Sequence, residues 1–427
     1  MTIAAAKVID PTEVSDTSTQ APIQLNITSE IAPLQSVLLY RPSNELDNLT
    51  PDTLEQLLFD DIPFMEMAQQ EHDHFAQKLN TLGASVYYLE DLITEVFANK
   101  EIQQHFIEEF LRLSSLNNKM LQTAIIEYLS SQTPKTVTQK LISGIKKDEL
   151  HYIEKSFSEY INRDYLFALP PIPNLYFARD PAFVFGDTVT FNNMFSLARK
   201  REALFTHYIF KYHPKFKHNR THSLLNGHHS IEGGDVLILN SNTLAIGISQ
   251  RTEAQAVESF AQELFFGINK QSISKILVFH IPSSRAFMHL DTVLTQVDYD
   301  KFAIHQGVVG HTNIYQLTAN NHNRLQYHQL SGSINSILSN ELGYQVQTFE
   351  CGGYDIVSSR REQWSDGANT LAVKPGEVLV YRRNKITNKI LQDNGITVHA
   401  IPCSELSRGR GGPRCMSMPL VREDLKI

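Results

Sequence analysis

The sequence predicts an α/β protein assembled from repeated hairpin–helix–strand modules and interrupted once by an all-helical insertion. Three observations lead there. The order hairpin, helix, strand runs through residues 235–282 and returns in residues 370–402. Between about 91 and 164 the texture changes to a glycine-poor stretch rich in Leu, Ile, Lys, Glu and Gln, with helical spacing in FIEEFLRL and AIIEYLSS. Hydrophobic residues make up 42% of the 427, enough to bury a sizeable core.

Taken in order, the first stretch is rich in Ser, Thr and Pro and reads as a mobile tail over residues 1–24. SVLLYRP then reads as a short buried strand, residues 63–82 carry helical spacing closed by Gly83, and ASVYYLE returns to strand. The helical insertion follows over 91–164. The body resumes at 165, so the α/β part comprises 25–90 and 165–427. PAFVFGDTVTFN opens a partial module with a Gly186-Asp187 turn. DVLILNSNTLAIGIS, RTEAQAVESFAQELFF and KILVFHIP form a complete one, and HLDTVLTQVDYDKFAIH gives a further hairpin. TLAVKPGEVLVY, RRNKITNKILQDNG and ITVHAIP form the second complete copy. Several copies suggest modules set around a centre, although an ordinary α/β sheet alternates in the same way.

Composition excludes several classes. A net charge of −8 argues against a general nucleic-acid binder. Three widely spaced cysteines, at 351, 403 and 415, fit a reducing compartment and supply no zinc-type pair. No apolar run reaches membrane-spanning length and no secretory pattern opens the chain, so a cytoplasmic protein is expected.

Candidate chemistry gathers around Cys415 in SRGRGGPRCMSMPLVRED. Glycines at 409, 411 and 412 and Pro413 suggest a shaped loop, and Arg408, Arg410 and Arg414 suggest a positive surrounding that favours thiolate. A buried structural cysteine is the plainer reading. In MHLDTVLTQVD, strand alternation would set His289 and Asp291 on one face, as an acid/base pair or as a structural pair at a hairpin. Asp180 ends the aromatic run NLYFARD, where Tyr176 and Phe177 suit a planar cation, or where Arg179 and Asp180 form a local pair. Glu232 precedes Gly233-Gly234, which lets a loop pass close to a ligand. A thiol facing acids is ill suited to an oxyanion, which needs donors, and well suited to a guanidinium, which offers them.

These motifs carry a resemblance. VLLYRPSNELDNLTPD, PNLYFARDPAF, IEGGDVLILNSNTLAIGISQRT, MHLDTVLTQVDYDKFAIH, REQWSDGANTLAVKPGEVLVYRRN and GRGGPRCMSMPLVRED, in that order, resemble bacterial-type arginine deiminases of the guanidino-group-modifying superfamily. The resemblance implies a fivefold pseudosymmetric α/β propeller with a helical insertion. It implies hydrolysis of L-arginine, with water as second substrate, to citrulline and ammonia, the first step of arginine catabolism by the deiminase pathway. It gives Cys415 the role of nucleophile in a covalent amidino-cysteine intermediate, and His289 the two proton transfers. Asp180 and Asp291 would clamp the guanidinium, and Glu232 would share in that and orient His289. Asn174, Arg199 and Arg251 would hold the α-carboxylate end, with Phe177, Gly409 and Arg410 completing the substrate site. No metal and no cofactor are expected, and a homodimer or homotetramer is.

Departures from the family pattern are Ala178 for threonine, Arg414 where some members carry histidine, and FGDTV for a more glycine-rich turn. Alternatives are an amidinotransferase using the same intermediate, a deiminase for a related guanidino compound, a metal site from His289, Asp291, Glu232 and Cys415, and a non-enzymatic binding protein. Arg199 and Arg251 argue against agmatine, which has no carboxylate.

Overall fold

Five small sheets repeat one order of strands. In the computed structural model, residues 21–425 are described apart from 115, 117, 153–156, 158–160, 162–164, 268–271, 309, 321 and 323. Most of the expected tail, and part of the insertion's end, lie outside the described residues. At the tail's edge, Ile23 N–H donates to Lys215 O at 3.0 Å, and Leu25 is buried.

Each module is an antiparallel strand pair, a helix, and a strand parallel to the second of the pair. One runs Ala182–Phe185, Thr188–Phe191, helix Glu202–Tyr212 and Arg220–Ser223. The next runs Val236–Asn240, Thr243–Ile248, helix Ala254–Phe266 and Lys275–His280. A third runs Leu294–Gln296, Lys301–Ile304, helix Ile334–Leu342 and Gln347–Glu350. A fourth runs Leu371–Lys374, Glu377–Tyr381, helix Lys385–Asp393 and Thr397–Ile401. The remaining module joins the two ends of the chain. Met418–Arg422 pairs antiparallel with Leu34–Leu39, which continues through helix Met65–Thr81 to the parallel strand Ser85–Tyr88.

The antiparallel pair of each module is largely buried and rich in Val, Ile, Leu and Phe, as strands covered on both faces require, whereas third strands such as Arg220–Ser223 and Ser85–Tyr88 lie nearer the surface. One addition breaks the repeat. Hairpin Asn313–Ala319 and Leu325–Leu330 leaves the third module and extends the second module's sheet to five strands.

Neighbouring sheets are tied by side chains and bridges. Ile27 pairs with Gly186; Phe183 and Phe185 meet Phe260 edge-on; Asp235 accepts from Leu290 N–H; Thr295 donates to Ala368 O; Arg422 donates to Ala372 O.

The insertion holds helices Leu89–Val96, Lys100–Leu113, Lys119–Ser130 and Pro134–Ser143. Its starts are written in the sequence: Asn99, Asn118 and Thr133 accept from the first free N–H groups, and Pro134 sits where its missing N–H costs nothing. Its apolar faces join the main core. Phe106 packs on Phe97, Phe110, Phe205 and Tyr208, the last two from helix Glu202–Tyr212. Phe106→Ala should therefore cost about 3–5 kcal/mol, read as a lower denaturation midpoint; a midpoint like the wild type's would show that this junction does not contribute to stability.

Candidate active site

The polar residues singled out above sit on short lead-in segments, each just before the first strand of a module. Asp180 precedes Ala182–Phe185, Glu232 precedes Val236–Asn240, His289 and Asp291 precede Leu294–Gln296, and Cys415 precedes Met418–Arg422. All five are buried, at 0–3% exposure, among polar groups that a core would exclude.

The expected alternation of His289 and Asp291 along a strand is not what brings them inward. Residues Leu290–Thr292 form a 3-10 turn and the strand starts only at Leu294. Two local bonds favour the turn over a ladder: Thr292 Oγ1 donates to His289 O at 2.6 Å, and Leu290 N–H donates to Asp235 at 2.8 Å. The turn sends His289 toward Glu232 and Asp180, and Asp291 toward the thiol.

Cys415 Sγ lies 3.6 and 3.8 Å from the two Asp291 oxygens. The expected positive surrounding is absent. Arg408 pairs with Asp61 and Glu405. Arg410 lies over the Trp364 ring, its Cζ 3.5 Å from the centroid. Arg414 is spent on other partners, donating to Asp291 Oδ2 at 2.7 Å, to both Glu30 oxygens at 3.0 and 3.1 Å, and to Val236 O at 2.8 Å. Burial, then the charges of Asp291, Asp180 and Asp366, push the Cys415 thiol well above its usual range, opposed by Arg414. Arg414 thus fixes a carboxylate.

The glycines act by close approach. A Cβ on Gly234 would stand 2.7 Å from the His289 ring, and one on Gly412 would stand 2.7 Å from Asn369 Oδ1. Gly409 and Gly411 lie against Tyr176 and Phe177 in the same way. The left-handed residue of the loop is Arg410 itself, at φ +64°.

His289 Nε2 bonds Glu232 Oε2 at 2.7 Å, and its Nδ1 is 3.8 Å from Asp180 Oδ1. Burial pulls the imidazole down, but Asp180, the Glu232 bond and Asp235 outweigh it and lift His289 to about 9. Burial pushes Glu232 up, and His289, Arg251 and Arg199 outweigh that, holding it at about 2. The pair is an imidazolium and a carboxylate near neutral pH.

Arg199 donates to Asp180 Oδ2 at 2.7 Å, to Glu202 at 2.8–3.1 Å and to Asn174 O at 3.4 Å. The Asn174 side chain donates to Leu57 O. Arg251 Nη1 is 3.8 Å from Glu232 Oε2 and has no hydrogen-bond partner. Asp180 Oδ1 has none either. Arg179 is buried and does not pair with Asp180, so the local pair considered from the sequence does not form. Ligand atoms of Asp180, Glu232 and His289 lie within 4.8 Å of one another, a spacing a metal ion could use, but His289 Nε2 and Glu232 Oε2 are already bonded to each other at 2.7 Å.

Two neighbours of the thiol were not singled out from the sequence. Asn369 donates to Cys415 Sγ at 3.1 Å and accepts from Cys415 N–H at 3.1 Å. Asp366 is buried with both oxygens unpartnered, and burial, opposed by Arg410, raises it to about 7. Both lie in REQWSDGANTL, where only their presence in a longer motif marked them.

The profile of a family described as arginine deiminase matches residues 55–422. An arginine deiminase of Clostridium perfringens is 47% identical over 408 residues, which cover 94% of this chain and 98% of that relative. One from Borreliella afzelii is 45% identical over 404 residues. The chain belongs to the arginine deiminase family. Its fold resembles that of SxtG, an amidinotransferase from Microseira wollei, with a TM-score of 0.53 at 12% identity, covering 94% of this chain and 98% of that one. The N-terminal domain of ArgZ, a cyanobacterial arginine dihydrolase, aligns with a TM-score of 0.51 at 11% identity. At such identities the likeness concerns the mixed α/β fold.

For this arginine deiminase family member, the His289–Glu232 pair sets a pH dependence of stability. His289 is raised from 6.5 to about 9, so its contribution is complete below 6.5 and is lost as pH rises through about 9. Thermal melts from pH 6 to 10 should show the wild type's advantage over Glu232→Gln shrinking across that window; a constant difference would contradict the raised histidine.

Proposed function

We propose that this protein hydrolyses L-arginine to citrulline and ammonia through a covalent amidino-cysteine intermediate. The observation that carries the reading is a buried thiol set among carboxylates, a surrounding that rewards a cation and penalises an anion. When arginine enters, its guanidinium offsets the acids and the thiol gives up its proton to solvent. The sulfur lone pair attacks Cζ, forming S–C while the C=N π pair moves to nitrogen. The His289 imidazolium donates its proton to the terminal nitrogen, the C–N bond breaks, and ammonia leaves. Water then attacks the same carbon, giving a proton to His289. Collapse breaks C–S as the hydroxyl proton passes to the departing sulfur, which restores the thiol and leaves the ureido carbonyl of citrulline. One histidine serves both steps because it is protonated when the first begins and neutral when the second does.

Asp180 and Asp291 hold the guanidinium, and Glu232 shares in that and orients His289. Arg251 and Arg199, with Asn174, serve the α-carboxylate end; Arg251 Nη1, buried without a partner, suits an incoming anion. Phe177 and Gly409 form part of the wall, and Arg410 belongs to the loop beside it. The contacts between successive sheets support a fivefold α/β propeller carrying the insertion of residues 91–164, with 25–90 and 165–427 as the catalytic body. No described helix is long and apolar enough to cross a membrane, and the residue types favour a cytoplasmic enzyme of the deiminase pathway, acting as a homodimer or homotetramer.

Purified protein with L-arginine and water alone should yield citrulline and ammonia in equal amounts. Cys415→Ala should abolish turnover, a loss of at least about 10⁴-fold, while arginine still raises its melting temperature. Sustained turnover by Cys415→Ala would overturn the covalent scheme. A requirement for an amine acceptor would reassign the reaction to amidino transfer.

A further inference from the structure

We propose that Asn369 is a further catalytic residue, whose side-chain amide holds the sulfur of Cys415 and stabilises it as the attacking thiolate. The inference rests on the reading of Cys415 as nucleophile. Asn369 is 1% exposed and its side-chain amide groups face one cluster. Its Oδ1 accepts from Cys415 N–H at 3.1 Å, and its Nδ2 donates to Asp291 O at 3.0 Å and to Cys415 Sγ at 3.1 Å. The orientation is fixed chemically. A backbone N–H on one side demands the oxygen, and a backbone carbonyl on the other demands the nitrogen, so the group beside the sulfur is a donor.

The position repeats a pattern. Four of the five modules each deliver a site residue just before their first strand, and Asn369 stands just before Leu371–Lys374, the first strand of the one that remains. Gly412 has room for this contact only because it lacks a Cβ. Asn369 N–H in turn donates to Asp366 O at 3.0 Å, which anchors the lead-in.

An amide suits the task. A lysine would stabilise a thiolate more strongly but would repel the guanidinium. An amide donates without charge, and its bond to S⁻ is stronger than its bond to S–H. The gain is therefore larger in the reacting state than in the resting one, which is the condition for catalysis. One amide also ties the nucleophile's backbone to that of the Asp291 clamp, so sulfur and guanidinium site keep a fixed separation.

The test uses Asn369→Asp, nearly isosteric but placing an anion at the sulfur, beside Asn369→Ala. Iodoacetamide alkylation of free enzyme, located at Cys415 by mass spectrometry, reads thiolate character without arginine. Alkylation of the aspartate variant should slow at least about threefold between pH 7 and 9. With arginine, kcat should fall about 10²–10³-fold in both variants, KM should change less than about fivefold, and the arginine-induced rise in melting temperature should persist. Alkylation and kcat within twofold of wild type in both variants would overturn the proposal. So would a kcat loss matched by loss of the arginine-induced shift, which would mean a structural role. A wild type inert toward arginine would sink the deiminase reading alone, since alkylation would still decide whether Asn369 governs the sulfur.

Discussion

A thiol enclosed by carboxylates cannot ionise cheaply, and that constraint organises the site. With Asp291 within 4 Å of Cys415 Sγ and Asp180 and Asp366 adding their charges, the resting sulfur keeps its proton. In the proposed reaction, a guanidinium entering the same space reverses the balance: it attracts the sulfur's charge and presents the carbon to be attacked. Substrate and nucleophile would then activate each other, and a neutral or anionic compound would meet an unreactive thiol. The arrangement ties chemical selectivity to electrostatics as much as to shape.

The same constraint explains the ion pairs beneath it. Asp291 beside a thiol would be costly if unsupported, and Arg414, held by Glu30, supports it. Burial pushes Glu30 up, but Arg414 and Arg179 outweigh that and hold it at about 2, so the support stays charged across the neutral range. On the other flank, Arg199 balances Asp180 and Glu202. Buried pairs of this kind are weak sources of stability but strong sources of geometry, since removing one partner strands the other. The acids can then hold a fixed shape around a ligand.

Much of this was readable in the chain. The two complete modules have tight turns, amphipathic helices and apolar strands in sequence, and the insertion announces its helix starts with Asn99, Asn118 and Thr133. The opening module was only half visible because its partner strand, Met418–Arg422, comes from the other end of the chain. No local pattern encodes such a pairing. The third module was obscured because a hairpin that joins another sheet separates Lys301–Ile304 from its helix. His289 and Asp291 stood out because charged residues in an apolar run are rare, yet their backbone was misread: two local hydrogen bonds, not alternation, set the turn. The arginines beside Cys415 misled because adjacency in sequence says nothing about side-chain direction, and Arg414 found better partners in Glu30 and Asp291. Asn369 carried no signal of its own, since an asparagine before a strand is ordinary.

The unsatisfied groups sort themselves by kind. Buried polar atoms normally find partners, and those that do not mark strain or function. Asp180 Oδ1 lacks a donor and Arg251 Nη1 lacks an acceptor, although each lies within 4 Å of His289 or Glu232. The short His289–Glu232 bond is kept and the two outer atoms are left wanting, one for a cationic N–H and one for an anionic oxygen. A single zwitterion with a guanidinium at one end and a carboxylate at the other meets both needs. Under the proposed function, a guanidino compound without the carboxylate would leave Arg251 Nη1 buried without a hydrogen bond, and discrimination between them would follow from the cost of that unmade bond.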